Sequence, residues 1–338
     1  MYRSGHPGNG DRDLSIDIAK AFGITLVVIG HSYSPFPLEK IIYSFHMPLF
    51  FIVSGLLYKS RGIVRTMRNK WYGLAAPYLL ALLVTLPVLW VIGRGDAFNA
   101  HLIIDTLGAK NEELIWNSPM WFLPSLFSTF LFFVLIEAVT RNIRIAAVAG
   151  MVLGLLGSYL VPSIRGLLFF GLDTAVPALF FFSLGVLASN SEGPRAASPK
   201  WNLTAFALCF AAWAAARFLG GHPYFVMAKF RIAPYMFFFA TGVAGSFAVV
   251  YFARFLEQTW KRGASSMAMR GLMFLSSSMF GIYIFHKPVI LIVRRFLPPL
   301  NGFQFIVLAL AGMVVSSAIL ALLRAVSPRL TKALTGSR

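Results

Sequence analysis

The chain has 338 residues, of which 58% are hydrophobic and only 12% charged, with a mean hydropathy of +0.73. A soluble domain carries about 25% charged residues, so these figures exclude a soluble enzyme, a disordered chain and a disulfide-stapled secreted scaffold. The formal charge of +18 would point to nucleic acid in a soluble protein, and the single cysteine, Cys209, excludes an intrachain disulfide and a cysteine-based metal cluster.

A bilayer core about 30 Å thick needs roughly 20 mostly apolar residues per helix. Ten stretches fit: 17–34, 41–58, 73–93, 119–139, 143–161, 172–189, 202–219, 232–253, 272–293 and 303–324. The pattern predicts an all-α integral membrane protein, a single domain over 1–338 with short tails at 1–15 and 325–338. The first span is the least apolar, because Asp17, Lys20 and His31 interrupt it, and 73–93 is the clearest. Pro77, Pro87 and Pro177 are tolerable inside membrane helices whose neighbours satisfy the freed carbonyls. A cleaved signal is not expected: residues 1–15 are polar, and Tyr33-Ser34-Pro35-Phe36-Pro37 follows the first span instead of a small-residue cleavage site. No further folded domain is expected, since the longest loop, 94–118, is too short to fold alone.

Loop charge orients the spans. With both termini cytoplasmic, the inside segments hold 19 Lys and Arg, including Lys59, Arg61, Arg65, Arg68 and Lys70, and the outside segments hold 9. Most of the +18 is therefore a topology signal, not a nucleic-acid footprint. The outer loops at 217–231 and 294–295 stay basic against this rule, which fits an anionic ligand or lipid there.

An ionisable side chain within a span is costly and hence a functional candidate. Three of the six histidines, His31, His46 and His286, fall in spans, but only three of the twelve acids do: Asp17, Glu137 and Asp173. In the first span Lys20 and His31 are eleven residues apart, which puts them on one helical face roughly 16 Å apart, with Asp17 three residues before Lys20 and able to pair with it. The stripe fits a polar cavity wall; it also fits an Asp–Lys pair snorkelling to one interface with a histidine at the other. Phe45-His46-Met47-Pro48 and Phe285-His286-Lys287-Pro288 each place a proline two residues after a histidine, freeing the carbonyls of Ser44 and Ile284. Such breaks suit helices that line a cavity, and they also suit ordinary proline kinks.

In this order the residues resemble the membrane acyltransferase-3 family over essentially the whole chain. The resemblance rests on Ser15-Ile16-Asp17-Ile18-Ala19-Lys20, Val27-Val28-Ile29-Gly30-His31, Phe45 to Phe51 with Ser54-Gly55, Trp121-Phe122-Leu123-Pro124, Pro177 to Gly185, and Ser278 to His286. The branch it looks most like is that of exopolysaccharide and fucose 4-O-acetylase-like O-acyltransferases. The family often has Arg where this chain has Lys20, a point donor without a planar fork.

The resemblance implies acyl transfer from acyl-CoA, most simply acetyl-CoA as a co-substrate, to a hydroxyl of a surface or lipid-linked glycan in a bacterial plasma membrane. It implies no metal and no tightly bound cofactor. His31 is then the expected base, and Lys20 with Asp17 binds an anionic part of the donor or orients the stripe. His46 or Ser54 positions substrate or stabilises the oxyanion, Tyr283 and His286 close the cavity, and Trp121 is a cavity wall or an interface anchor. The run Lys59, Arg61, Arg65, Arg68 and Lys70 fits CoA phosphates as well as the positive-inside rule, and Cys209, in an apolar run, fits packing. The competing reading is a transporter or flippase for a lipid-linked or anionic small molecule, for which the paired breaks in spans two and nine hint at an inverted repeat.

Overall fold

The computed structural model describes residues 13–109, 114–190, 198–260, 267–297 and 303–336. Arg3, Arg12, Lys110, Arg195, Lys261, Arg262 and Arg338, counted above for orientation, lie outside the described residues. In chain order the helices are α1 Leu14–Gly30, α2 Phe36–Tyr43, α3 His46–Leu56, α4 Ile63–Lys70, α5 Ala76–Thr85, α6 Val88–Val91, α7 Ala100–Leu107, α8 Phe122–Thr140, α9 Ile143–Ile164, α10 Leu172–Ser189, α11 Pro199–Leu219, α12 Tyr235–Trp260, α13 Met267–Arg295, α14 Gln304–Val326 and α15 Pro328–Thr335. A π-helical turn, Trp71–Ala75, fuses α4 to α5. The described residues contain a single isolated β-bridge, Val226–Arg231, and no strand.

Among the described residues nine helical stretches are long and apolar enough to cross a membrane. They run from Phe36–Leu56, which joins α2 and α3 across a break, to Gln304–Val326. The first of the ten expected spans differs. α1 has 17 residues and ends at Gly30, so it is about 26 Å long, short of the bilayer core. It needs no apolar exterior, because α3, α12, α13 and α14 pack around it. Eleven of its residues are buried, Asp17 among them, which is how a stretch carrying Asp17 and Lys20 sits at the centre of the bundle. His31 lies one residue beyond this helix as its C-cap, not within a span.

Local sequence sets the helix starts. The Asp13 carboxylate accepts from the N–H of Ser15 and Ile16 at the start of α1, and Asn142 caps α9 in the same way. Pro199 and Pro328 occupy the first turns of α11 and α15 behind the caps Ser198 and Ser327. α3 and α10 cross at touching distance at Gly55 and Gly185: a Cβ on Gly55 would strike the carbonyl of Phe182, and one on Gly185 would strike that of Ile52. Around this crossing the rings of Tyr58, Phe130 and Phe133 stand edge to face on Phe182, and Tyr58 stands so on Phe133, with centroids 4.8–5.7 Å apart.

Loops meet at two opposite ends. At one end Arg144 donates to the Asn190 carbonyl and Asn202 to Gln258. At the other, Arg217 donates to the Lys40 carbonyl, Arg165 to that of Lys229 and Arg295 to that of Ile92. The tail after α14 is helical: α15 buries Thr331 and Leu334, and Gly336 rests against Gly73.

Candidate active site

A cavity of about 540 Å³ runs between the helices from Lys20, Ser54 and Leu57 at one end to Lys229 and Arg231 at the other. Lys20, His31, His46, Ser54, Trp121 and Tyr283 all line it, with an apolar middle that includes Ile24, Val27, Phe50 and Phe122. The one-face geometry expected of Lys20 and His31 thus opens on a single space.

The three histidines meet at one point. The rings of His31 and His286 stand edge to face, with centroids 5.4 Å apart. Tyr43 sits between His31 and His46, at 6.2 and 4.9 Å. Each imidazole is held in the same manner, by the backbone carbonyl four residues earlier: Nδ1 of His31 lies 2.8 Å from the Val27 carbonyl, that of His46 2.9 Å from that of Ile42 in the preceding helix α2, and that of His286 2.8 Å from that of Ile282. A carbonyl only accepts, so the proton sits on Nδ1 and each Nε2 presents a lone pair. The Nε2 of His286 is buried without a hydrogen-bond partner.

The two proline breaks shape this cluster. Pro288 frees the Ile284 carbonyl, and buried Asn117 fills the gap: its Nδ2 donates to Ile284 O at 3.0 Å and to Thr85 Oγ1 at 3.2 Å. At the other break, the Ser44 carbonyl is approached by Thr241 Oγ1 at 3.3 Å, a hydroxyl it shares with the Phe237 carbonyl at 2.6 Å. His46 is the first residue of α3, so its side chain turns inward from a broken helix rather than from the middle of a continuous one. His46, Met47 and Lys287 beside the breaks line the cavity, whereas the prolines and the fully buried His286 stand behind its wall, so His286 does not close the cavity directly. The carbonyls freed by the prolines are met from neighbouring segments.

The remaining expected site residues take distinct places. Asp17 does not line the cavity. Its carboxylate lies 3.8 Å from Lys20 Nζ and accepts from Ser276 at 3.2 Å, steadying Lys20 from behind. Tyr283 donates its hydroxyl to the Pro119 carbonyl at 2.6 Å, which pins the short turn Ser118–Trp121 and the Trp121 ring in the wall. Ser54 stands eight residues from His46, roughly 12 Å along α3, at the Lys20 end and away from the histidines. The basic run lies outside the main cavity. Lys59, Arg61 and Lys70 surround a hollow with Tyr58, Thr66, Asn69 and Phe130, and Arg61, Arg65 and Arg68 a shallower one. Leu57 borders both the main cavity and the first hollow, so the two adjoin. Lys70 Nζ sits 3.7 Å above the Phe130 ring. Cys209 lies on α11, part-exposed and away from the cavity.

Sequence reasoning missed Glu39, Tyr43 and Tyr224 and gave no role to Lys287. All four line the cavity at the His31 end. Tyr224 donates to Glu39 Oε1 at 2.5 Å, and burial together with that carboxylate holds its phenol above the ordinary range, so it stays a donor. The basic character of 217–231 was the one signal of this end, and Lys229 and Arg231 of that loop do line the cavity.

These features define a polytopic helical membrane protein whose ionisable side chains converge on a cavity between its helices. The chain belongs to the acyltransferase-3 family: the family model, described as an acyltransferase domain, matches residues 13–322. It is also similar to the nodulation protein NolL of Mesorhizobium japonicum, with 34% identity over 151 residues, which span 41% of this chain and 39% of that protein. No solved structure matches it.

Proposed function

We propose that this membrane acyltransferase moves an acyl group, most simply acetyl, from acyl-CoA to a carbohydrate hydroxyl of a surface or exported glycan in a bacterial plasma membrane. The observation that carries the reading is the Nε2 of His31, oriented by the Val27 carbonyl and facing a cavity that also reaches Lys20. His31 Nε2 takes the proton of the acceptor hydroxyl as its oxygen attacks the thioester carbonyl. The tetrahedral intermediate collapses to the ester, and the departing CoA thiolate takes the proton back from the imidazolium. Tyr43, between His31 and His46, offers its hydroxyl to the oxyanion. His46 presents an acceptor Nε2 rather than a donor, which suits a contact to the acceptor sugar.

The donor enters from the Lys20 end, which loop charge puts on the cytoplasmic side. Its phosphates rest in the hollow of Lys59, Arg61 and Lys70, with Arg65 and Arg68 beside it, and its pantetheine arm passes Leu57 and Lys20. The roughly 16 Å from Lys20 to His31 is a distance an extended pantetheine arm bridges.

His31→Ala is the test. The purified variant is expected to insert and melt as the parent does while losing acyl transfer, read by mass spectrometry of surface glycans and by release of free CoA. Parental activity in that variant would refute His31 as the base.

A further inference from the structure

We infer that the cavity mouth beside His31 is a binding site for an anionic group, a carboxylate or phosphate carried by the acceptor near its reactive hydroxyl. The inference rests on the acyl-transfer reading only for the identity of the bound molecule as acceptor; the site itself stands on the side chains. Lys229, Arg231 and Lys287 line this end of the cavity, against a single carboxylate, Glu39, which already accepts from Tyr224. None of the three cations forms an ion pair with a carboxylate among the described residues.

Their placement is built, not incidental. The loop that carries Lys229 and Arg231 closes on itself through two backbone hydrogen bonds between Val226 and Arg231, of 2.8 and 3.0 Å. Phe225, Met227 and Ile232 are buried beneath it. Arg165 clamps it from outside, donating to the Lys229 carbonyl at 3.0 Å while pairing with Asp173 at 3.0 Å. Lys287 lies deeper, next in sequence to His286, with its ammonium 5.2 Å from the centre of the Tyr33 ring. Surface lysines that merely snorkel require no such scaffold. Fixed cations at the rim of a cavity with apolar walls focus the field inward and favour an anion next to the histidines. The donor's own phosphates have their basic hollow at the opposite end, so an anion at this mouth belongs to the second substrate.

The test uses the purified full chain in nanodiscs, Lys229→Gln/Arg231→Gln as the variant, and Lys200→Gln, on a helix remote from the cavity, as the control. Three soluble compounds are titrated by calorimetry: a galacturonic acid trisaccharide, the neutral galactose trisaccharide and a hexose 1-phosphate. The trisaccharide acid or the phosphate is expected to bind at least tenfold more tightly than the neutral sugar, with an advantage that the double variant loses and the control keeps. Preference for the acid identifies a uronic acid acceptor, and preference for the phosphate a phosphorylated one. Equal binding of all three, or an unchanged double variant, overturns the site. Glycan acylation is measured in parallel in cells. Acylation by the parent that persists undiminished in the double variant overturns the site alone. Anion binding without any acylation by the parent overturns the acyl-transfer reading and leaves the site standing.

Discussion

At the scale of single residues, the recurring device is an imidazole tethered to a backbone carbonyl one turn earlier in the chain. His31, His46 and His286 all direct Nδ1 to a carbonyl four residues earlier, so the backbone itself fixes three tautomers and no carboxylate is needed to orient His31. That arrangement explains why the cluster can be rich in histidine and poor in acid. It leaves Tyr43, whose ring lies against those of both His31 and His46, as the hydroxyl proposed for the oxyanion. Tyr43→Phe is expected to lower kcat by about 10²- to 10³-fold, as loss of an oxyanion donor does, with KM and melting temperature little changed. Steady-state kinetics with acyl-CoA check this, and an unaltered kcat would assign the oxyanion to another donor.

At the scale of elements, the proline-broken helices are held by polar side chains that reach in from elsewhere. Asn117 is the clearest case, since one amide ties the Ile284 carbonyl of α13 to Thr85 of α5. Asn117→Leu leaves that carbonyl buried and unmet, a cost of about 1–3 kcal/mol. A lowered melting temperature in detergent, together with a fall in kcat as the His286 turn loosens, is the expected result. The same elements divide what is legible in sequence from what is not. Lys20, His31, His46 and His286 stand out because each interrupts an apolar run, an expense visible in one dimension. Glu39 and Tyr224 lie at a helix start and in a loop, where a polar residue costs nothing, and only packing brings them within 2.5 Å of each other. Asn117 likewise sits in a connecting segment, 167 positions from the carbonyl it serves. The nine long apolar stretches among the described residues were legible from length and hydropathy; the span expected at 17–34 is instead a helix of 17 residues, shorter than hydropathy suggested and enclosed by other helices.

For the molecule as a whole, basic side chains gather at both ends of the cavity. One end offers Lys59, Arg61 and Lys70 around a hollow that adjoins the cavity through Leu57, and the other offers Lys229, Arg231 and Lys287. The first set is assigned to the donor. Arg61→Gln is expected to raise KM for acyl-CoA severalfold at unchanged kcat, and the difference should shrink as salt is raised, because exposed charges are screened within about 10 Å at 0.1 M. A fall in kcat with KM constant would take the donor phosphates away from this hollow.

The enclosure of α1 also has a meaning in time. A ribosome makes this helix well before α12, α13 and α14, the neighbours that cover it. Until they arrive, α1 has only α2 and α3 beside it, and the Asp17 carboxylate lacks Ser276, the α13 hydroxyl it accepts from. The cavity comes into being only when the second half of the protein closes around the first helix, so biosynthesis itself keeps the histidine cluster unassembled until the enclosing bundle exists.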